Sequence, residues 1–300
     1  MELMNRGMKS ILTAGILWVL AAFPAAAQNN FFFPLHNIIR GDSVFDTFDK
    51  QVAFIKKTGY DGIEINQVGS FQGMKAALDK HRFPGAFFYV KVKLEEPYFE
   101  PLLEESIRRL KGSKTIISPY LVSESGKYTP SSRDADQLAV SLIRQVADWA
   151  AQSGLEVAIY PHVFFYVERT DHALELAKKT GRENVGLTFN LCHWLATTGP
   201  AGRATLRKDL EGMLPYLKMI TICGANDVLS QKKNIWDDYI LPLGSGSFDT
   251  YGLVKYVLKD LKFKGPVGVQ CYNIKGDKQA LVQNTLAVWK SYKTRLRSEK

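Results

Sequence analysis

The stretch LEVAIYPHVF, residues 155–164, decides how this chain is read. An apolar, β-branched run ends at Tyr160, meets Pro161, and is followed at once by His162. A run this short, set off by Gly154 and a proline, reads as a buried strand. Before it stands DADQLAVSLIRQVADWAAQSG, with apolar residues at helical spacing and a glycine stop; after it, DHALELAKKTG has helical spacing again. VGLTFNLCHW, residues 185–194, repeats the pattern with Asn190 and then His193. Strand and helix in strict alternation are the mark of parallel strands joined by crossover helices.

The alternation extends in both directions. FFFPLHNI reads as a first strand, despite Pro34. SVFDTFDKQVAFIKKTGY reads as its helix, with Asp42 or Ser43 as N-cap and Gly59 as the stop. DGIEI, GAFFYVKV and KTIISPYLV are strands two to four, with GMKAALDKH and FEPLLEESIRRLKG as the helices between them. After strand six comes the helix RATLRKDLEGMLPYL, then strand seven, MITICG. A long loop leads to FDTYGLVKYVLKDL; PVGVQCY is strand eight, and DKQALVQNTLAVWKSYKTRL closes the chain. Eight units predict an α/β fold, a single (β/α)8 TIM barrel. An open doubly wound sheet is disfavoured because LHNIIRGDS has no G-x-G-x-x-G.

The N-terminus stands apart. Arg6 and Lys9 precede the apolar run ILTAGILWVLAAF, and PAAAQ follows with small residues at 25 and 27. That is the tripartite form of a signal peptide, residues 1–27, and it leaves 28–300 as the barrel. The apolar run is short for a membrane anchor, which needs about 20 residues. The expectation is an exported protein, periplasmic or secreted, with no membrane contact after cleavage.

The net charge is +9 over 300 residues, scattered along the expected helices and the tail. Basic residues are not interleaved with aromatics, so nucleic acid is not an expected partner. The three cysteines, Cys192, Cys223 and Cys271, each end an apolar run and read as buried small hydrophobes; a disulfide or a reactive thiol is the alternative.

In a barrel of this kind the active site gathers at the C-terminal ends of the strands. His36, Glu64, Tyr160, His162, Asn190, His193, Asn226, Asp227 and Gln270 all fall at or just past such an end. Lys91 lies inside strand three, on the expected barrel-facing side. Trp194, Tyr89, Phe164, Phe165 and Tyr166 add aromatic surface. GSGS, residues 244–247, reads either as an anion nest or as a tight loop.

With these stretches in view, the chain resembles the xylose isomerase-like TIM barrel superfamily of sugar isomerases and epimerases, inosose dehydratases and type IV apurinic endonucleases. The resemblance rests on GYDGIEI, VAIYPH, VGLTFNLCH, ITICGAND, LPLGSGSFD and GPVGVQ. It implies divalent-metal ligands on strands five to eight. Carried over, those positions hold Tyr160, Asn190, Gly224 (or its neighbour Cys223) and Gln270. Hard cations want charged oxygens, and none is present there. No metal cofactor is therefore expected. A residual zinc or manganese site from His162, His193 and Glu64 or Cys223 stays open, since imidazole and thiolate suit zinc.

The resemblance also places His162 beside a substrate. Together with the strand-end positions it implies His162, His193 and Glu64 as catalytic residues. The strand-end, barrel-facing and aromatic positions give His36, Lys91, Tyr160, Asn190, Trp194, Asn226 and Gln270 as substrate-binding residues. Two functions follow from different classes. One is a sugar isomerase-, epimerase- or lyase-like enzyme acting by proton abstraction on a carbohydrate or keto-sugar. The other is a non-catalytic carbohydrate-binding barrel. The oligomeric state is not legible.

Overall fold

The computed structural model describes residues 30–299; the expected signal segment, residues 1–27, lies outside them. Eight strands form one parallel sheet: β1 (Phe32–Pro34), β2 (Ile63–Asn66), β3 (Gly85–Lys93), β4 (Ile116–Val122), β5 (Val157–Ile159), β6 (Val185–Asn190), β7 (Leu217–Ile222) and β8 (Val267–Val269). From β2 to β8 each strand is bonded to its sequence neighbour, and β1 is bonded to β8, which curls the sheet into a near-closed barrel.

The seam lies between β1 and β2. Carboxylates stitch it where ladder bonds would run. The Phe32 N–H donates to Asp61 Oδ2 at 2.8 Å, and the Asp61 N–H donates to the Phe32 carbonyl at 3.0 Å. At the mouth the His36 N–H donates to Glu64 Oε2 at 2.6 Å. Pro34 fits this seam. Successive N–H groups of a strand point to alternate sides, so the missing donor falls on the side without a ladder.

Alternation within strands sorts the core. Phe33, Phe87, Ala158 and Met219 fill the barrel interior, while Phe32, Phe88, Val157 and Ile220 face the helices. Gly268 on β8 keeps room for an inner ring: a Cβ there would stand 2.7 Å from the Phe33 ring.

The outer helices are α1 (Phe48–Thr58), α2 (Val68–His81), α3 (Leu103–Arg108), α4 (Asp136–Gln152), α5 (Thr170–Thr180), α6 (Leu191–Thr197), α7 (Pro200–Arg203), α8 (Leu206–Met213), α9 (Trp236–Tyr239), α10 (Thr250–Lys255) and α11 (Lys278–Ser298). Gly59 stops α1 in the left-handed region, as expected. The N-cap does not follow the sequence. Thr47 caps α1 by accepting from the Lys50 N–H, because the Asp42 carboxylate is spent on a turn, accepting from Val44 and Phe45. The helix expected over RATLRKDLEGMLPYL shrinks to α8, with the one-turn α7 ending at Arg203 before it and a 3-10 turn that contains Pro215 after it. The three cysteines are free, buried thiols. Among the described residues, no helix is long and apolar enough to cross a membrane.

Candidate active site

Parallel barrel strands all end at one mouth, and a cavity of about 300 Å³ opens there. That is the lower end of the ligand-site range of about 300–1,000 Å³. Five of the ten residues named as candidates from the sequence line it: Glu64, Tyr160, His162, His193 and Gln270. β2 and β6 lie four strands apart in a ring of eight. Glu64 on β2 therefore stands across the mouth from His193, which follows β6.

The backbone of one residue, Val163, sets both histidines. His162 Nδ1 lies 2.7 Å from the Val163 carbonyl, so it carries the proton and leaves the Nε2 lone pair free. The Val163 N–H points at His193 Nδ1 at 3.4 Å, so there the proton sits on Nε2. The rings lie 3.9 Å apart, centroid to centroid. Phe165 stacks on the outer face of His162 at 4.0 Å, and Trp236 meets His193 edge-on at 5.2 Å. Burial lowers the pKa of His162 to about 4 and that of His193 well below the ordinary histidine value, with His162 adding to the second shift. The result is a neutral pair presenting one acceptor and one donor.

The opposite wall is a carboxyl group. Burial raises the pKa of Glu64 above the usual carboxylate value, against opposing hydrogen bonds from Asn66 and the His36 N–H and the charge of Arg40. Asn66 Nδ2 donates to Glu64 Oε1 at 3.0 Å. Tyr160 and Tyr89, meeting edge-on at 4.8 Å, form apolar wall with phenols that burial keeps neutral. Gln270 Oε1 accepts from Asn37 Nδ2 and from the Tyr272 N–H, which turns the Gln270 amide donors free of that pair.

The other five candidates lie elsewhere. The His36 ring turns away under α1, where its Nε2 meets Gln51 Oε1 at 2.7 Å; only its backbone reaches the site, through Glu64. Asn190 is buried below the cavity floor and accepts from Cys192 Sγ. Trp194 packs in the outer core near Phe189. Asn226 clamps its own loop, donating to Asp238 Oδ1 and accepting from the Ser247 N–H. Lys91 pairs with Glu124 at 3.0 Å and lines a neighbouring cavity. In place of these, Asn37, Arg40, Asn66, Trp236 and Tyr272 line the mouth. Asn37 and Asn66 were within reach of sequence reasoning, since Asn66 ends β2 and Asn37 sits in the 3-10 turn three residues past β1. Trp236 comes from the long loop after β7, which carries no strand-end signal.

The residues at the implied metal positions do not fit a divalent cation. Tyr160 is a buried neutral phenol, and the Gln270 carbonyl oxygen already accepts two hydrogen bonds. Gly224 is tied by its backbone to Leu241, and Cys223 Sγ is bonded to the Tyr239 carbonyl with its thiol pKa raised by Cys192 and by burial. Among the described residues no three His, Cys, Asp or Glu side chains are grouped to hold a metal ion.

A search of curated proteins by sequence gives no match. Solved structures share the fold at low identity. The 3-keto-D-glucoside 4-epimerase YcjR from E. coli is 15% identical over 88% of this chain and 100% of its own, with a TM-score of 0.67. The IOLI protein with a bound zinc atom is 16% identical over 88% of this chain and 98% of its own, with a TM-score of 0.67. A D-allulose 3-epimerase from Methylomonas sp. is 17% identical over 88% of this chain and 98% of its own, with a TM-score of 0.66. A sequence model of the xylose isomerase-like TIM barrel matches residues 52–292, and the chain belongs to that family.

Proposed function

We propose that this protein is an exported isomerase- or epimerase-like enzyme that moves a proton on a carbohydrate or keto-sugar without a divalent metal. The observation that carries the reading is the placement of Glu64 across the mouth from the His162–His193 pair. Epimerisation needs a proton removed from one face of a carbon and returned to the other; isomerisation needs it moved to the next carbon. Two proton-transferring groups on facing walls suit either.

The assignment follows from protonation states. His162 Nε2, with its lone pair free, takes the proton from a carbon next to a carbonyl. The electron pair of the broken C–H bond moves onto the carbonyl oxygen. His193 Nε2–H and the Gln270 amide are the donors for that oxyanion. Glu64, whose raised pKa favours the acid form, delivers a proton from the far side; solvent then takes the proton from His162 Nε2 and returns one to Glu64. A carbonyl already in the substrate acidifies the neighbouring C–H, which is why a keto-sugar suits a site without a Lewis acid. The same first step followed by loss of a leaving group would make the reaction a lyase. Epimerases among the fold neighbours support the sugar class.

A second reading, a non-catalytic carbohydrate-binding barrel, has one observation in its favour. Both oxygens of Glu64 already accept protein hydrogen bonds, and one of those bonds stitches the β1–β2 seam. Incubation of the purified protein with a panel of keto-sugars and aldoses, followed by NMR, separates the two. The enzyme reading predicts a new epimer, isomer or eliminated product from at least one sugar. Saturable binding with every sugar returned unchanged establishes the binding protein instead.

A further inference from the structure

Beside the cavity at the mouth lies a second one of about 540 Å³, and Phe164 lines both. Phe164 is 64% exposed and has φ +74°, a left-handed backbone that bulky side chains rarely adopt. Its N–H is held by Glu168 Oε2 at 3.2 Å, and Ser131 Oγ donates to the other oxygen of that carboxylate at 3.2 Å. The fold thus spends strain and a fixed carboxylate to present a phenyl ring to solvent between two cavities. Packing does not account for it, because the ring is not buried.

The walls of the outer cavity have the chemistry of a sugar site. Tyr128 and the exposed Phe164 supply aromatic surface for the C–H face of a pyranose, while Tyr120 and Phe165, stacked in a row between Tyr89 and His162, present only their edges. Lys91 and Glu124, paired at 3.0 Å, place a donor and an acceptor side by side, which is what vicinal hydroxyls require. A lone monosaccharide in the inner cavity would leave this second chamber unused. We propose that the substrate is a glycoside of two rings: the reacting ring lies in the inner cavity and its neighbour lies in the outer one, with Phe164 as the wall between them. This inference rests on the carbohydrate reading above and extends it to the substrate's size.

The test is calorimetric titration of the full chain with cellobiose, maltose and lactose, each set against the methyl glycosides of its component sugars. At least one disaccharide is expected to bind about tenfold more tightly than its methyl glycosides. That ratio should fall below about twofold in Tyr128→Ala and in Glu124→Gln, which alter only the outer cavity. A ratio near one for every pair overturns the proposal. So does a ratio that survives in both variants, or a lack of binding by all of these sugars. Solvent-proton exchange on the corresponding keto-sugars separates this claim from the reaction. Exchange without the affinity gain leaves the enzyme and removes the second subsite; the affinity gain without exchange does the reverse.

Discussion

His162 and His193 lie with ring centroids 3.9 Å apart and planes inclined at 40°, and the backbone of the one residue Val163 is hydrogen-bonded to both, its carbonyl to His162 and its N–H to His193. Two imidazolium ions would repel at this spacing, so the pair is built to be neutral. Mutual repulsion and burial act in the same direction on His193.

Acid should therefore unfold the protein early. The folded-state pKa values of His36 and His162 are lowered to about 4, and that of His193 is lowered well below the usual value. The unfolded chain binds these protons first, so stability rises with pH across the window from about 4 to 6.5 and is lost as pH falls through it. For the fully buried His36 the shift corresponds to about 3 kcal/mol. Urea midpoints measured at half-unit steps should decline steadily below pH 6.5 and be level between 7 and 8. A midpoint unchanged down to pH 4.5 would show that the imidazoles are charged in the folded state.

Glu64→Gln should leave the fold intact and even favour it at high pH. The folded-state pKa of Glu64 is raised, so its contribution is favourable at low pH and is lost as pH rises through that value. Glutamine has no charge to bury and can still accept the His36 N–H. The expected melting temperature at pH 8 is equal to the parent's or higher by a few degrees, roughly the effect of 1 kcal/mol. A large drop would mean that the seam between β1 and β2 needs the ionised carboxylate.

Metal removal should change nothing. The groups at the implied ligand positions are neutral or already hydrogen-bonded. Protein purified without chelator should carry well under one equivalent of zinc, manganese or magnesium by elemental analysis, and dialysis against a chelator should leave activity and melting temperature as they were. A stoichiometric metal whose removal lowers either would mean that Nε2 atoms of the histidine pair and the Glu64 carboxylate gather around an ion.

Export is tested at the N-terminus. Mass spectrometry of the protein recovered from the source cells should find the chain beginning at Gln28. A chain that retains its first 27 residues would place the apolar run outside the signal-peptide class.

The barrel was legible because periodicity is local: runs such as VAIY and VGLTFN and their glycine stops lie within single elements. The site was legible only in outline. Strand order places His162, His193, Glu64 and Gln270 at one mouth, but side-chain direction past a strand end depends on loops. The His36 ring turned outward because Gln51 on α1 offers it a buried acceptor 15 residues along the chain. Asn226 and Lys91 likewise found partners, Asp238 and Glu124, that no strand pattern announces. Trp236 reached the cavity through a one-turn helix inside a long loop, where composition carries no address.

The most direct measurement is deuterium uptake at the carbon beside the carbonyl of a keto-sugar in heavy water, compared between the parent protein, His162→Ala and Glu64→Gln. The predicted result is uptake by the parent and a fall of roughly 10²–10⁴ in each variant, with melting temperatures close to the parent's. Uptake undiminished in both folded variants, or no uptake by a parent that binds the sugar, would contradict proton transfer between these two walls.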